Sequence, residues 1–230
     1  MNDFFASSAT VGVVISLLAY QIGLIINKKT KNAMFNPLLI SIILVIGFLF
    51  VFDVEYNNYQ QSAKYLSYLL TPATVSLAIP LYEKIDLLKK HVWAVLIGIT
   101  AGVVTSLFSI LGMAMIFQLS HQEYVTLLPK SITTAIGLGI SEEFGGYVSI
   151  TASAIIITGI FGNMIGPTIC KIFGIKYAVS RGLAIGTSSH AVGTTKAMEM
   201  GEVEGAMSSL SIVVAGLLTV ILASVFAMLY

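Results

Sequence analysis

The 230 residues are 57% hydrophobic against 10% charged, with a mean hydropathy of +0.92, far from the roughly 25% charged share of a soluble domain. A net charge of +1 provides no large field and argues against nucleic acid as a partner. The single Cys170 argues against an internal disulfide or a cysteine metal cage, so the composition is that of an all-α polytopic membrane protein.

In chain order, the N-terminal run lacks a basic flank and a small-residue cleavage pattern, so Ser8 to Ile26 is expected to remain as a span. Lys28, Lys29 and Lys31 follow it. Asn36 and Pro37 open a second uncharged run to Phe52, and a polar loop with tyrosines leads to Tyr65. Tyr65 to Tyr82 contains Pro72 and Pro80, each of which removes an amide donor, and this predicts a broken helix with Thr71 and Thr74 beside the first proline. A basic-biased loop, Glu83 to His91, precedes Val92 to Phe117, an uncharged span whose Gly98 and Gly102 suit close helix contact. Tyr124 to Ile140 is proline-interrupted and carries Lys130, Ser131, Thr133 and Thr134. Tyr147 to Cys170 reads as a further span with Asn163 at mid-depth and a Gly162, Gly166 pair, and Ala206 to Leu229 as the last.

Between those two lies Arg181 to Glu204, long enough to cross a bilayer yet carrying Ser188, Ser189, His190, Gly193, Thr194, Thr195 and Lys196. An ionisable side chain at the bilayer centre costs roughly 3 kcal/mol on insertion scales, so such a segment faces a bundle interior or a wet cavity. A packing seam accounts for its glycines and hydroxyls but not for His190 and Lys196 together.

Placing the clusters at Lys28 to Lys31, Lys84 to Lys90 and Lys171 to Arg181 on the cytoplasmic side sets the N-terminus outside and the C-terminus inside. Tyr124 to Ile140 is then re-entrant, giving about seven spans plus one re-entrant segment. Residues 37–117 and 147–229 each read as plain, interrupted and plain helix, running in opposite directions about 110 residues apart, with 8–26 an additional span and 118–146 a linker. Paired breaks of this kind point to a single membrane domain of elevator-like secondary-transporter architecture, with its site near the midplane.

The chemistry expected there is anion binding. Half-helix N-termini expose unpaired N–H groups, and hydroxyls at Thr74, Ser188, Ser189, Thr194 and Thr195 add donors, so a small carboxylate fits. His190 is either a proton carrier or substrate partner, or a neutral imidazole bonded between helices. Lys196 either contacts substrate or snorkels to the interface, with Lys130 as the alternative cation. The carboxylates Glu142, Glu143, Glu199, Glu202 and Glu204 lie at segment ends and are expected to be solvated. Dispersed histidines and the absence of nucleophile-elbow and phosphate-loop motifs call for no metal, no cofactor and no enzyme activity.

Three stretches carry a resemblance: LTPATVSLAIPLYEK, LLPKSITTAIGLGISEEFGG and RGLAIGTSSHAVGTTKAMEMGEVEGAMSSLS. They resemble the signature motifs of the LrgB/CidB family over nearly the whole chain, departing from them at Thr71 and Ala135. The resemblance implies a bacterial plasma-membrane protein of antiholin-like or holin-like description, linked to murein hydrolase activity and autolysis. It also implies a small LrgA/CidA-like membrane protein as partner, within the lipid bilayer, and plastid relatives that carry glycolate and glycerate. Small monocarboxylates such as pyruvate are the implied substrates. A homo-oligomer, simplest as a dimer, is expected, with an oligomeric regulator of murein hydrolases as the alternative function.

Overall fold

The computed structural model describes residue 8, residues 10–30, 35–76 and 78–230, with the side chains of Leu70, Thr71, Thr74, Pro80, Leu81, Leu87 and Leu88 outside the description. The two predicted site residues Thr71 and Thr74 therefore lie outside the described side chains. The described residues are helical, without strands, and divide into two compact units, 1–76 and 77–230.

In the first unit, α1 (Val11–Thr30) packs on α2 (Pro37–Val51) and α3 (Tyr56–Ala63). Asn36 starts α2 by accepting the amides of Leu38 and Leu39 at 2.9 and 3.2 Å, with Pro37 in the first turn, where its missing donor costs nothing. Close approach at the other end comes from Gly12, whose amide donates to Ser62 Oγ at 2.9 Å. The Ser16 and Tyr59 hydroxyls meet at 2.7 Å. A 3-10 turn (Lys64–Leu69) and α4 (Leu70–Ser76) follow.

The second unit begins with the short α5 (Ala78–Glu83) and α6 (Ile85–Lys90); Leu77, which separates α4 from α5 in the proline-bearing Tyr65 to Tyr82 stretch, lies outside the described residues, and with it the expected break. Then comes α7 (Val92–Phe117), whose Val95, Ile99, Val103, Leu107, Ile110 and Ala114 form one buried stripe at helical spacing. That stripe packs against Tyr124, Val125, Leu128 and Ile132 and against Met207, Ala215 and Phe226. Its opposite face leaves Trp93, Ile97 and Ile116 exposed. Burial of one stripe with large apolar side chains outside is the pattern of a helix facing lipid.

Tyr124 to Ile140 is two short helices, α8 (His121–Leu127) and α9 (Thr134–Glu143), joined by a turn. Ser120 and Glu123 form a reciprocal capping box at the start of α8. Three helices then complete the unit: α10 (Val148–Ile172), α11 (Ala178–Met200) and α12 (Glu202–Ala227). Tyr124 donates its hydroxyl to Phe226 O at 2.9 Å, and Tyr230 donates to Leu119 O at 2.7 Å, tying the last turn of α12 back to the end of α7. Among the described residues four helices are long and apolar enough to cross a membrane, namely α1, α7, α10 and α12. The chain is a multi-pass membrane protein.

Among the second unit's helices α11 is the most closely enclosed, because glycines let α12, α10 and α7 approach it. A Cβ on Gly182 would lie 2.5 Å from Glu204 O, one on Gly186 would overlap Ser208 O, and one on Gly102 would lie 2.7 Å from Thr187 Cγ2. Glu204 corrects the expectation of a solvated carboxylate. It is 4% exposed and accepts a hydrogen bond from Arg181 Nη2, so the ion pair joins the first turns of α11 and α12.

Candidate functional site

The polar stretch contains a backbone break, and its position is His190, with φ 43° and ψ −143°. This is near the first central residue of a type II′ turn, a conformation that favours glycine, and it costs a β-carbon-bearing residue about 1–3 kcal/mol. It divides α11 into half-helices 178–189 and 191–200.

What holds histidine in so costly a conformation is visible around it. His190 Nε2 lies 2.9 Å from Ile155 O, and since a carbonyl only accepts, Nε2 carries the proton. Thr194 Oγ1 donates to His190 O at 2.9 Å and meets Ser208 Oγ at 2.7 Å. Gly159 supplies the space for the ring, since a Cβ there would lie 2.6 Å from Cε1. His190 is thus bonded between helices.

Just before the break, Ser188 and Ser189 line a cleft of about 700 Å³ bounded by α7, α10, the first half of α11 and the turn before α9. Ser189 sits directly against Gly162, where a Cβ would overlap its hydroxyl, and Gly193 leaves room for the Ser189 Cβ from behind. Two small-residue rows spaced by four line the walls: Gly98, Gly102 and Ser106 on α7, and Thr158, Gly162 and Gly166 on α10. Spacing by four keeps each row on one helix face.

The cationic group on the cleft is Lys130. Its Nζ donates to Ser131 Oγ at 3.3 Å, and Ser131 Oγ meets Ser106 Oγ at 3.1 Å. Among the described residues it pairs with no carboxylate. Beside this group stands Thr187, 7% exposed, whose Oγ1 is buried without a hydrogen-bond partner among the described residues. A buried hydroxyl left unbonded costs about 1–3 kcal/mol, which is a reason to expect a ligand or water there.

Of the predicted site residues, the structure brings Lys130, Ser131, Ser188 and Ser189 to one cleft. Thr133 and Thr134 begin α9 and do not line it. Asn163 donates to Val192 O at 2.8 Å and to Thr195 Oγ1 at 3.0 Å, so both stitch α10 to the second half of α11. Lys196 pairs with Glu199 at 2.7 Å, one turn along the same helix. Thr187, Ser106 and Thr158 were not singled out from sequence, although the four-residue spacing with Gly98, Gly102, Gly162 and Gly166 carries a signal for the last two.

The family model described as the LrgB-like family matches residues 16–229. The chain belongs to the LrgB-like family. It is 39% identical over 219 residues to the Antiholin-like protein LrgB of Bacillus subtilis (strain 168), covering 95% of each chain. It is 38% identical over 216 residues, 94% of each, to proteins of the same name from Bacillus cereus (strain B4264) and Bacillus anthracis (strain CDC 684 / NRRL 3495). No solved structure matches the chain. The family match spans α1 to α12, so the cleft lies wholly within the LrgB-like region.

Proposed function

We propose that this LrgB-like protein is a secondary carrier of small monocarboxylates, of pyruvate or glycolate size, and that the α7, α10 and α11 cleft is its substrate site. The supporting observation is Lys130, an ammonium without a carboxylate partner among the described residues, on a cleft edged by hydroxyls and by the unsatisfied Thr187. A carboxylate at 4 Å from such a cation gains about 4 kcal/mol at an effective dielectric of 20, before its own desolvation. Volumes of roughly 300–1,000 Å³ are ordinary for small-molecule sites, so the cleft has room for a three-carbon acid with water. His190 stands behind the site in this reading. It holds the break that ends the half-helix carrying Ser188 and Ser189, while Asn163, Gly193, Thr194 and Thr195 position the half-helix after it.

The same reading takes the two interrupted stretches as corresponding elements of an inverted repeat, working by elevator-like alternating access in a bacterial plasma membrane with the N-terminus outside. The test is uptake of labelled pyruvate, glycolate and lactate into proteoliposomes holding only this protein, with and without a proton gradient. Saturable uptake that Lys130→Met lowers tenfold or more is expected. Uptake unchanged in that variant would remove the site.

The relatives' name, Antiholin-like protein LrgB, favours a second reading, an antiholin-like role; in that reading the chain regulates murein hydrolase activity as a homo-oligomer with a small LrgA/CidA-like partner. It predicts unselective leakage of dye from the same vesicles, or a stable complex with that partner and no uptake.

A further inference from the structure

A second cleft, of about 520 Å³, lies at the far end of α10, where the chain leaves its apolar segment. Its lining is of two kinds: the cations Lys171, Lys176 and Arg181, and the apolar Pro167, Ile175 and Met200. Arg181 is partly neutralised by Glu204, yet its Nε is buried without a hydrogen-bond partner among the described residues. Lys171 and Lys176 are exposed and pair with no carboxylate among the described residues. The cleft therefore carries two uncompensated positive charges.

The ordinary explanation for basic residues here, completion of the α10 C-terminus, is already met by the backbone. Phe173, Gly174 and Ile175 donate their amides to the carbonyls of Ile169, Lys171 and Cys170 at 3.0, 3.2 and 2.8 Å, with Gly174 at φ 65° making the turn. The lysines are left over from capping. Cations above an apolar floor, at the depth where a spanning helix meets the interface, match an amphiphile with a phosphate head, and basic pockets between membrane helices bind such head groups.

We propose that the cleft of Lys171, Lys176 and Arg181 is a binding site for a phosphate group, supplied by an anionic phospholipid whose acyl chain lies on Pro167, Ile175 and Met200. The site is separate from the Lys130 cleft and does not depend on the carrier reading.

The test uses the purified full chain in detergent, titrated with phosphatidylglycerol or phosphatidylcholine and read by native mass spectrometry and by thermal midpoint. Phosphatidylglycerol should be retained and raise the midpoint, and phosphatidylcholine should do neither. The double variant Lys171→Gln, Lys176→Gln, which touches only exposed side chains, should melt like wild type without lipid and bind phosphatidylglycerol roughly thirtyfold more weakly, about a tenfold loss per 1.4 kcal/mol at ~1 kcal/mol per cation. A matched control, Lys89→Gln with Lys90→Gln, neutralises another lysine pair at a helix end and should leave binding intact. Millimolar inorganic phosphate distinguishes the source: if it alone raises the midpoint in wild type and not in the Lys171, Lys176 variant, the phosphate is a free anion. Equal retention of the two lipids with no effect of phosphate, or an equal loss in the control variant, would overturn the proposal.

Discussion

Replacing His190 by alanine and by glycine separates the backbone break from everything else the side chain does. Both variants lose the bond to Ile155 O, worth about 1 kcal/mol, and the ring's packing on Gly159, so both should fall below wild type. They differ only in what the backbone asks of them. At φ 43° and ψ −143° a Cβ costs about 1–3 kcal/mol, and glycine's extra freedom in the unfolded chain returns roughly 0.4–1 kcal/mol of that. His190→Gly should therefore be more stable than His190→Ala by about 1 kcal/mol. In an unbroken helix the order reverses, because glycine is there worse than alanine by about 1 kcal/mol. For a chain of this size each kcal/mol moves the thermal midpoint by about 2–4 °C, so the two backbones predict midpoint differences of opposite sign. Thermal unfolding in mild detergent, followed by the loss of the monodisperse peak, reads the difference. An alanine variant that melts with or above the glycine variant would refute the break.

Thr187→Val keeps the shape and removes an unpaired buried hydroxyl, so it should raise thermal stability by up to about 1–3 kcal/mol while lowering carboxylate uptake; lowered stability would mean that the hydroxyl has a partner. Gly186→Ala drives a Cβ into the Ser208 backbone and should cost at least about 1–3 kcal/mol through a forced shift of α12, measured as a lower melting midpoint, whereas Gly112→Ala, with open space around it, should cost nothing by that route. Glu123 is held below its ordinary carboxylate pKa, first by the Ser120 amide and then by the Ser120 hydroxyl. Its folded pKa is depressed, so its contribution is present above the unfolded carboxylate pKa and is lost as pH falls through the folded one. Protection factors of the amides in the first turn of α8, that is, exchange rates corrected for their intrinsic pH dependence, should fall in acid for wild type and stay flat with pH for Glu123→Gln, which retains an acceptor but does not titrate.

Legibility in the sequence followed the range of the interactions. Val92 to Phe117 coincides with α7 because an uncharged run bounded by His91 and a left-handed Gln118 is decided locally, at φ 52°. The proline-interrupted Tyr124 to Ile140, two short helices joined by a turn, is equally local. The polar stretch was recognised as the centre of the chain, but the break within it could not be assigned to His190. Nothing about an isolated histidine predicts positive φ; Ile155, Gly159 and Ser208 impose it from other helices. Glu204 was misjudged for the same reason. Its partner Arg181 is distant in sequence, and only the approach of α11 to α12 over Gly182 removes the carboxylate from water. Lys130 and Ser106 come together across 23 intervening residues, so their shared cleft is a tertiary fact with only a faint trace in the spacing of small residues on α7.

The rows Gly98, Gly102, Ser106 and Thr158, Gly162, Gly166 make much of the cleft wall main chain rather than side chain. Main chain has no rotamers to exchange, so along those rows the opening adapts less to a bulkier guest than where Ile165 and Leu183 line it. It acts as a fixed gauge, and its calibration is accessible to mutation. Gly98 is the mildest position, with only Leu183 Cδ1 near an added Cβ, at 3.6 Å. Alanine, valine and leucine placed there in turn would narrow the gauge by known steps, and the order in which two-, three- and four-carbon acids are rejected would measure its width.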